Sequence, residues 1–462
     1  EIINESEETH MENNMTQGST AKHLLFFAVP VFLGSLFQQF YTMVDTMIVG
    51  RFVSVKALAA VGATNSITFL TIGFIIGITT GFGIQIAQSY GAQNIPQLKR
   101  AIGSSFILGG IFLILMTIGV TAGLKSILNL LHTPANIYTD SYRYILIYTL
   151  GLIGPMVYNL IASILRALGD SKTPLYFLVF SSILNIILDL TFILKFHWGV
   201  AGASFATVLS QLVSGIMCFL YATKHYELLK LTKEYFIPDF SLWKRMMSMG
   251  IPMALQYCVT ALGAMVLQTK TNAFGYIAVA AFTAANKLES LSVQPFIALG
   301  SAVATYTGQN LGAGRFDRIR TGAKVGFLYT LVISLALGIF IHLTGSSIVQ
   351  LFLSTDTPEV IPQILEYAHM YLLLMILCYV PLGMIFLYRN AMQGMGNGFI
   401  PFLGGILELI CRSIAALFLT GPFGFWGIAA AGPLAWIGAG IPLCIIYHID
   451  IKHREQKSLV EK

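Results

Sequence analysis

The chain has 462 residues, of which 56% are hydrophobic and only 10% charged, with a mean hydropathy of +0.74. A soluble domain carries about a quarter charged residues, so the composition excludes a soluble enzyme or nucleic-acid-binding protein and indicates a polytopic membrane protein. The net charge of +6 then reports on loop topology rather than on affinity for nucleic acid.

Residues 1–21 form a polar, acidic tail (Glu1, Glu5, Glu7, Glu8, Glu12) without the apolar core and cleavage site of a signal peptide, so the first spanning helix is expected to direct insertion. Beyond it, charge-free runs longer than the about 20 residues that cross a bilayer recur along the chain. They predict an all-α, polytopic membrane protein with twelve spans, near 22–50, 57–89, 101–123, 138–165, 174–194 and 199–223, then 246–273, 276–310, 322–344, 364–389, 400–420 and 424–449. The run Ser413 to Ile449 is too long for one helix, and Gly421-Pro422-Phe423-Gly424 divides it. The second and eighth spans exceed what a bilayer needs and are expected to tilt, bend or project into water. With both termini on one side, 19 of the 27 lysines and arginines fall on that side, which marks it as cytoplasmic. Five cysteines (Cys218, Cys258, Cys378, Cys411, Cys444) lie singly in apolar segments and read as small buried hydrophobes.

The polar linker 225–244 separates a lobe over 22–224 from a second over 245–449, with a tail at 450–462. The two lobes repeat each other. Pro30, AlaAla at 59–60, SYGAQNIPQLKRA at 89–101, Pro134, Pro155, RALGDSKTP at 166–174 and GVAGAS at 199–204 recur in order as Pro252, AlaAla at 280–281, NLGAGRFDRIRTG at 310–322, Pro358, Pro381, QGMGNGFIP at 393–401 and GIAAAG at 427–432. Six spans per half give both halves one orientation, with a pseudo-two-fold axis along the membrane normal, an arrangement recurrent in secondary transporters.

Polar residues within the spans are few. Asn185 and Asp189 interrupt SSILNIILDLTFI four residues apart, on one helix face, and Asp45 lies in FYTMVDTMIVG. An ionised carboxylate at the bilayer centre costs at least about 2.5 to 3.5 kcal/mol, so such a residue must be paired, protonated or ion-bound. Hydration at a helix end is the competing reading for either acid taken singly. Their joint depth argues against it. The first and fifth spans both run outward, with Asp45 and Asp189 shortly before Gly50 and Lys195, and the sixth runs inward from Gly199 to Thr207. At 1.5 Å per residue all three side chains lie about 8 to 12 Å beneath the outer surface.

Glu408 and Arg412, four apart in the eleventh span, read first as a self-neutralised pair and second as cavity residues in which Glu408 attracts a cationic substrate. Lys287 and Glu289 in the eighth span resemble that case, and Lys270 fits the outer boundary. Gly77, Gly81 and Gly83 form a small-residue face suited to close helix packing. No GxxxxGK[ST], HExxH or GxSxG occurs, so no bound cofactor is expected and ion coupling is the economical source of energy.

PVFLGSLFQQFYTMVDTMIVG at 30–50, the following ALAAVG, the YGAQN and LGAGR turns, RALGDSKTP and the Asn185/Asp189 pair together resemble the MATE (multidrug and toxic compound extrusion) transporters, nearest the prokaryotic DinF-like branch, over about residues 22–450. The resemblance implies a V-shaped pair of six-helix lobes in a prokaryotic inner membrane, both termini cytoplasmic. It implies a secondary transporter, not an enzyme, exporting cationic or amphipathic compounds in exchange for inward Na+ or H+. It carries the cation site to Asp45, Asn185, Asp189 and Thr207, which would be the metal ligands if Na+ is the coupling ion, and the surrounding polar network to Tyr41, Tyr144 and Asn159. The NorM-like branch instead has acids in its C-terminal lobe, whereas the repeat partners of Asp45 and Asp189 are apolar here, near Leu267 and at Ala416. Membrane lipids and small-molecule substrates are the expected partners, with no nucleic acid, and the chain is expected to be a monomer. The rival readings are a lipid-linked oligosaccharide flippase of the same superfamily and a non-transporting membrane receptor or scaffold.

Overall fold

In the computed structural model, residues 14–351 and 358–460 are described; most of the expected N-terminal tail and the last two residues of the C-terminal one lie outside them. Prolines, glycines and capping side chains divide this span into helices α1 (Thr20–Phe52), α2 (Val55–Gly91), α3 (Ile95–Leu130), α4 (Ala135–Leu150), α5 (Ile153–Ala167), α6 (Lys172–Leu190), α7 (Gly199–His225), α8 (Phe240–Asn272), α9 (Tyr276–Ser292), α10 (Gln294–Gly312), α11 (Phe316–Gln350), α12 (Ile361–Leu377), α13 (Tyr379–Gly394), α14 (Phe399–Phe418) and α15 (Phe425–Val460). No strand occurs among the described residues. Among the described residues nine helices are long and apolar enough to cross a membrane, and the pairs α4–α5 and α12–α13, bent by 46° and 50°, raise this to eleven if each pair is one span. The fold is all-α and polytopic.

Two spans differ from those expected. The region 276–310 is not one helix: it breaks at Val293, because Pro295, at the start of α10, has no N–H to continue the helical ladder. The last helix does not stop at 449 but runs on to Val460, through the residues expected to form a tail.

The internal repeat is present in the backbone. α5 ends where the N–H groups of Gly169 and Asp170 bond the carbonyls of Arg166 and Leu165, with Gly169 at φ +89°. α13 ends the same way, Gly396 and Asn397 bonding Gln393 and Met392, with Gly396 at φ +83°. Such a stop needs a left-handed residue, which glycine adopts without a Cβ clash. Asp170 then accepts from the N–H groups of Lys172 and Thr173 at 2.9 and 3.0 Å, and Asn397 from that of Ile400 at 3.2 Å, starting α6 and α14. Gln93 (φ 55°) and Gly314 (φ 67°) form a second matching pair, His197 (φ 57°) and Gly424 (φ 58°) a third. The breaks before α5 and α13 lie just ahead of the matching Pro155 and Pro381.

The helices form two compact units. One contains Val29–Tyr257, the other Thr16–Ala28 and Cys258–Lys462, so the division falls within α1 and within α8. In the first unit α2 packs on the opening turns of α8. A Cβ on Gly77 would lie 2.4 Å from Cα of Ala254, and one on Gly81 2.4 Å from Cα of Gly250. A Cβ on Gly83 would meet Oγ of Ser163, which donates to the Thr79 carbonyl at 2.7 Å. The glycine face therefore serves close packing. After α7, the linker folds into two short turns, Glu227–Leu229 and Lys233–Phe236, against α3. Tyr226 at its start donates to Asp170 at 2.7 Å, and burial followed by this bond pushes its hydroxyl pKa above the ordinary tyrosine range.

In the second unit, the start of α1 is held by α10 and α11. Thr20 and Tyr306 share a hydroxyl bond of 2.8 Å, Tyr329 donates to the Ala21 carbonyl at 3.0 Å, and Arg318 donates to the carbonyls of Gly18 and Gln17 at 3.0 and 3.1 Å.

Candidate functional site

In the first unit, α1 carries Asp45, α6 carries Asn185 and Asp189 one turn apart, and α7 carries Thr207. All four side chains are buried; Asp189 is 0% exposed and Asn185 1%. The carboxyl groups of Asp45 and Asp189 lie within side-chain hydrogen-bonding reach of each other, a bond that forms only when one of them holds a proton. Asn185 donates from Nδ2 to Oγ1 of Thr207 at 3.4 Å, and Thr207 donates to the Ala203 carbonyl at 3.1 Å.

With both acids ionised, Asp45 Oδ1, Asn185 Oδ1 and both carboxylate oxygens of Asp189 are buried with no donor. Each such oxygen costs about 1 to 3 kcal/mol, more when charged, unless something electropositive satisfies it. Oxygens from carboxylate, amide and hydroxyl groups suit a small hard cation, and paired carboxylates also suit a proton. An apolar shell that includes Ile48, Val49, Val61, Ile193 and Val200 closes around this end of the unit and keeps the dielectric low.

Of the supporting residues expected, Tyr41 and Tyr144 lie in electrostatic range of both acids. Asn159 instead donates its amide to the Pro155 carbonyl of its own helix, at 2.8 Å. Two polar neighbours escaped the sequence reading: Gln211, which reaches the Tyr41 hydroxyl, and Tyr148, beside Tyr41 and Tyr144. Helical spacing was the available signal, because Gln211 stands four residues beyond Thr207 and Tyr148 four beyond Tyr144. Directly after α6, the turn Thr191–Lys195 is π-helical, a departure from regular helix that is frequent at functional sites.

In the second unit Glu289, Glu408 and Arg412 form a separate charged cluster. Arg412 donates to Glu408 at 2.7 Å, with side chains only 14% and 19% exposed, the self-neutralising arrangement. Glu289 does not pair with Lys287 but accepts from the hydroxyl of Tyr371 at 2.7 Å, within electrostatic range of Arg412 and Glu408. Tyr371, on α12, gave no sequence signal of this role.

Comparison with known proteins agrees with the duplicated helical architecture. The family description MatE matches residues 30–191 and again 252–417. The chain is 29% identical over 446 residues to "Probable multidrug resistance protein YpnP" of Bacillus subtilis, covering 94% of both chains, and 30% identical over 415 residues to "Probable multidrug resistance protein YoeA" of the same organism, covering 87% of this chain and 88% of that one. Among solved structures, a MOP superfamily transporter from Pyrococcus furiosus superposes with a TM-score of 0.88 at 22% identity, over 95% of this chain and 97% of that one. An outward-facing multidrug resistance MATE family transporter gives 0.87, also at 22% identity, over 95% and 98%. With the family pattern matched once in each half, and relatives aligned over nearly their whole length, the chain belongs to the MatE family and is a multi-pass membrane transporter, not an enzyme.

Proposed function

We propose that this protein is a secondary antiporter of a prokaryotic inner membrane, with twelve spans and cytoplasmic termini, that exports cationic or amphipathic organic compounds in exchange for inward Na+ or H+. The observation that carries this reading is the meeting of Asp45 and Asp189 from two different helices in a buried site whose oxygens lack donors. Asn185 and Thr207 complete the donor set, and Tyr41 and Tyr144 border it. Two adjacent buried carboxylates repel, and one added positive charge relieves that repulsion. Binding of the ion therefore changes the packing preferred around α1, and its release restores the empty state. The relatives named as multidrug resistance proteins support small-molecule export.

The test is substrate efflux from proteoliposomes under an imposed Na+ or pH gradient. Folded Asp45→Asn and Asp189→Asn variants are expected to lose gradient-driven efflux by about tenfold or more, since a neutral amide removes the charge to be compensated. Full coupled efflux from the double variant sinks the site. Varying only Na+ at fixed pH separates the two coupling ions.

A further inference from the structure

The second unit has an open cavity of about 470 Å³ between the part of α8 beyond Cys258 and α14. Leu262, Met265 and Val266 of α8 and Leu409 of α14 form its apolar wall, and Lys270 brings the only charge among the residues that line it. The Lys270 ammonium makes no ion pair among the described residues. A second cation lies beside one of the cavity's lining residues. The Arg412 guanidinium abuts α8 at Gly263, where a Cβ would lie 3.2 Å from Nη1, next to the lining residue Leu262. Its Nη2 is taken by Glu408 at 2.7 Å, while its Nε–H is buried with no acceptor. Glu289, the remaining acid nearby, is occupied by Tyr371.

The location has a meaning within the repeat. α8 and α14 are the counterparts of α1 and α6, which carry Asp45, Asn185 and Asp189 in the first half. The matching positions here are near Leu267, at Arg412 and at Ala416. Where the first half offers acids, the second offers an apolar wall and a free ammonium. A cation there would meet only like charge, from Lys270. A ligand with an apolar body and one acidic group would cover the wall and neutralise the lysine.

We infer that the α8–α14 cavity is a substrate subsite for amphipathic compounds bearing an acidic group, with Lys270 holding that group. This rests on the export reading, and narrows its amphipathic substrates to a class.

A matched pair of probes with one apolar body tests it: pyrenebutyrate and pyrenebutyltrimethylammonium, titrated against the purified full-length protein and loaded into proteoliposomes for efflux. Lys270→Gln is expected to weaken pyrenebutyrate binding about tenfold, the cost of one charge-assisted contact, and leave the ammonium probe unchanged. Lys270→Arg should keep carboxylate binding, and Lys270→Glu should reverse the preference. A melting temperature equal to that of the unmodified chain guards against unfolding. Unchanged carboxylate binding in Lys270→Gln, or equal loss of both probes, overturns the subsite. Displacement of pyrenebutyrate by phosphatidylglycerol with the same Lys270 dependence also overturns it, since the occupant is then a lipid. Lys270-dependent binding with no efflux of either probe supports the subsite and removes the export reading instead. Efflux of the ammonium probe alone does the opposite.

Discussion

Gln93 sits at φ 55°, in the left-handed region, where its repeat partner is Gly314. A side chain there costs about 1 to 2 kcal/mol, partly offset by the extra unfolded freedom of glycine, so Gln93→Gly is expected to stabilise by about 0.5 to 1 kcal/mol, read as a higher melting temperature. Gly77 is the converse. Its missing Cβ would lie 2.4 Å from backbone on α8, so Gly77→Ala forces two helices apart and should destabilise by about 1 to 3 kcal/mol. Equal melting of Gly77→Ala and the unmodified chain would show that the approach is not tight. For the acids the decisive quantity is neither space nor strain but charge, which is why their tests use isosteric amides.

Among the elements, the turn between α5 and α6 depends on one carboxylate. Asp170 takes N–H groups from Lys172 and Thr173 and the hydroxyl of Tyr226, tying the linker to the helix start. Asp170→Ala leaves all three donors without this acceptor and should cost about 2 to 3 kcal/mol, whereas Tyr226→Phe removes one bond and should cost about 1 kcal/mol. Limited proteolysis within 226–239 is the direct measurement, and both variants should be cut faster than the unmodified chain, Asp170→Ala most. The motif GlyAsp in RALGDSKTP was legible as a repeat landmark; that its acid also docks the linker was not, because Tyr226 is brought to it only by the return of α7.

For the whole molecule, substrate charge decides what drives transport. A monovalent cation leaving as one monovalent ion enters moves no net charge, and only the chemical gradient acts. An organic anion leaving as one cation enters moves two charges, so the membrane potential contributes about 4.6 kcal/mol per 100 mV. An inside-negative potassium diffusion potential should therefore accelerate pyrenebutyrate efflux and leave that of the trimethylammonium probe unaltered; equal responses would contradict an acidic substrate.

The amino-acid order alone determined that the chain is helical, membrane-spanning and duplicated, because apolar run length, proline and glycine placement and Asp or Asn caps act within a few residues of themselves. It also gave Asp45, Asp189 and Thr207 one expected depth, since helical rise is fixed, with Asn185 a turn deeper on the face of Asp189. Tertiary structure alone decided which side chains meet across helices: Gln211 and Tyr148 beside Tyr41, Asn159 turned to its own backbone, Tyr371 on Glu289, and Lys270 on an apolar cavity shared by α8 and α14. Those outcomes depend on the rotation of each helix about its axis, which packing against several neighbours sets and no local run of residues specifies.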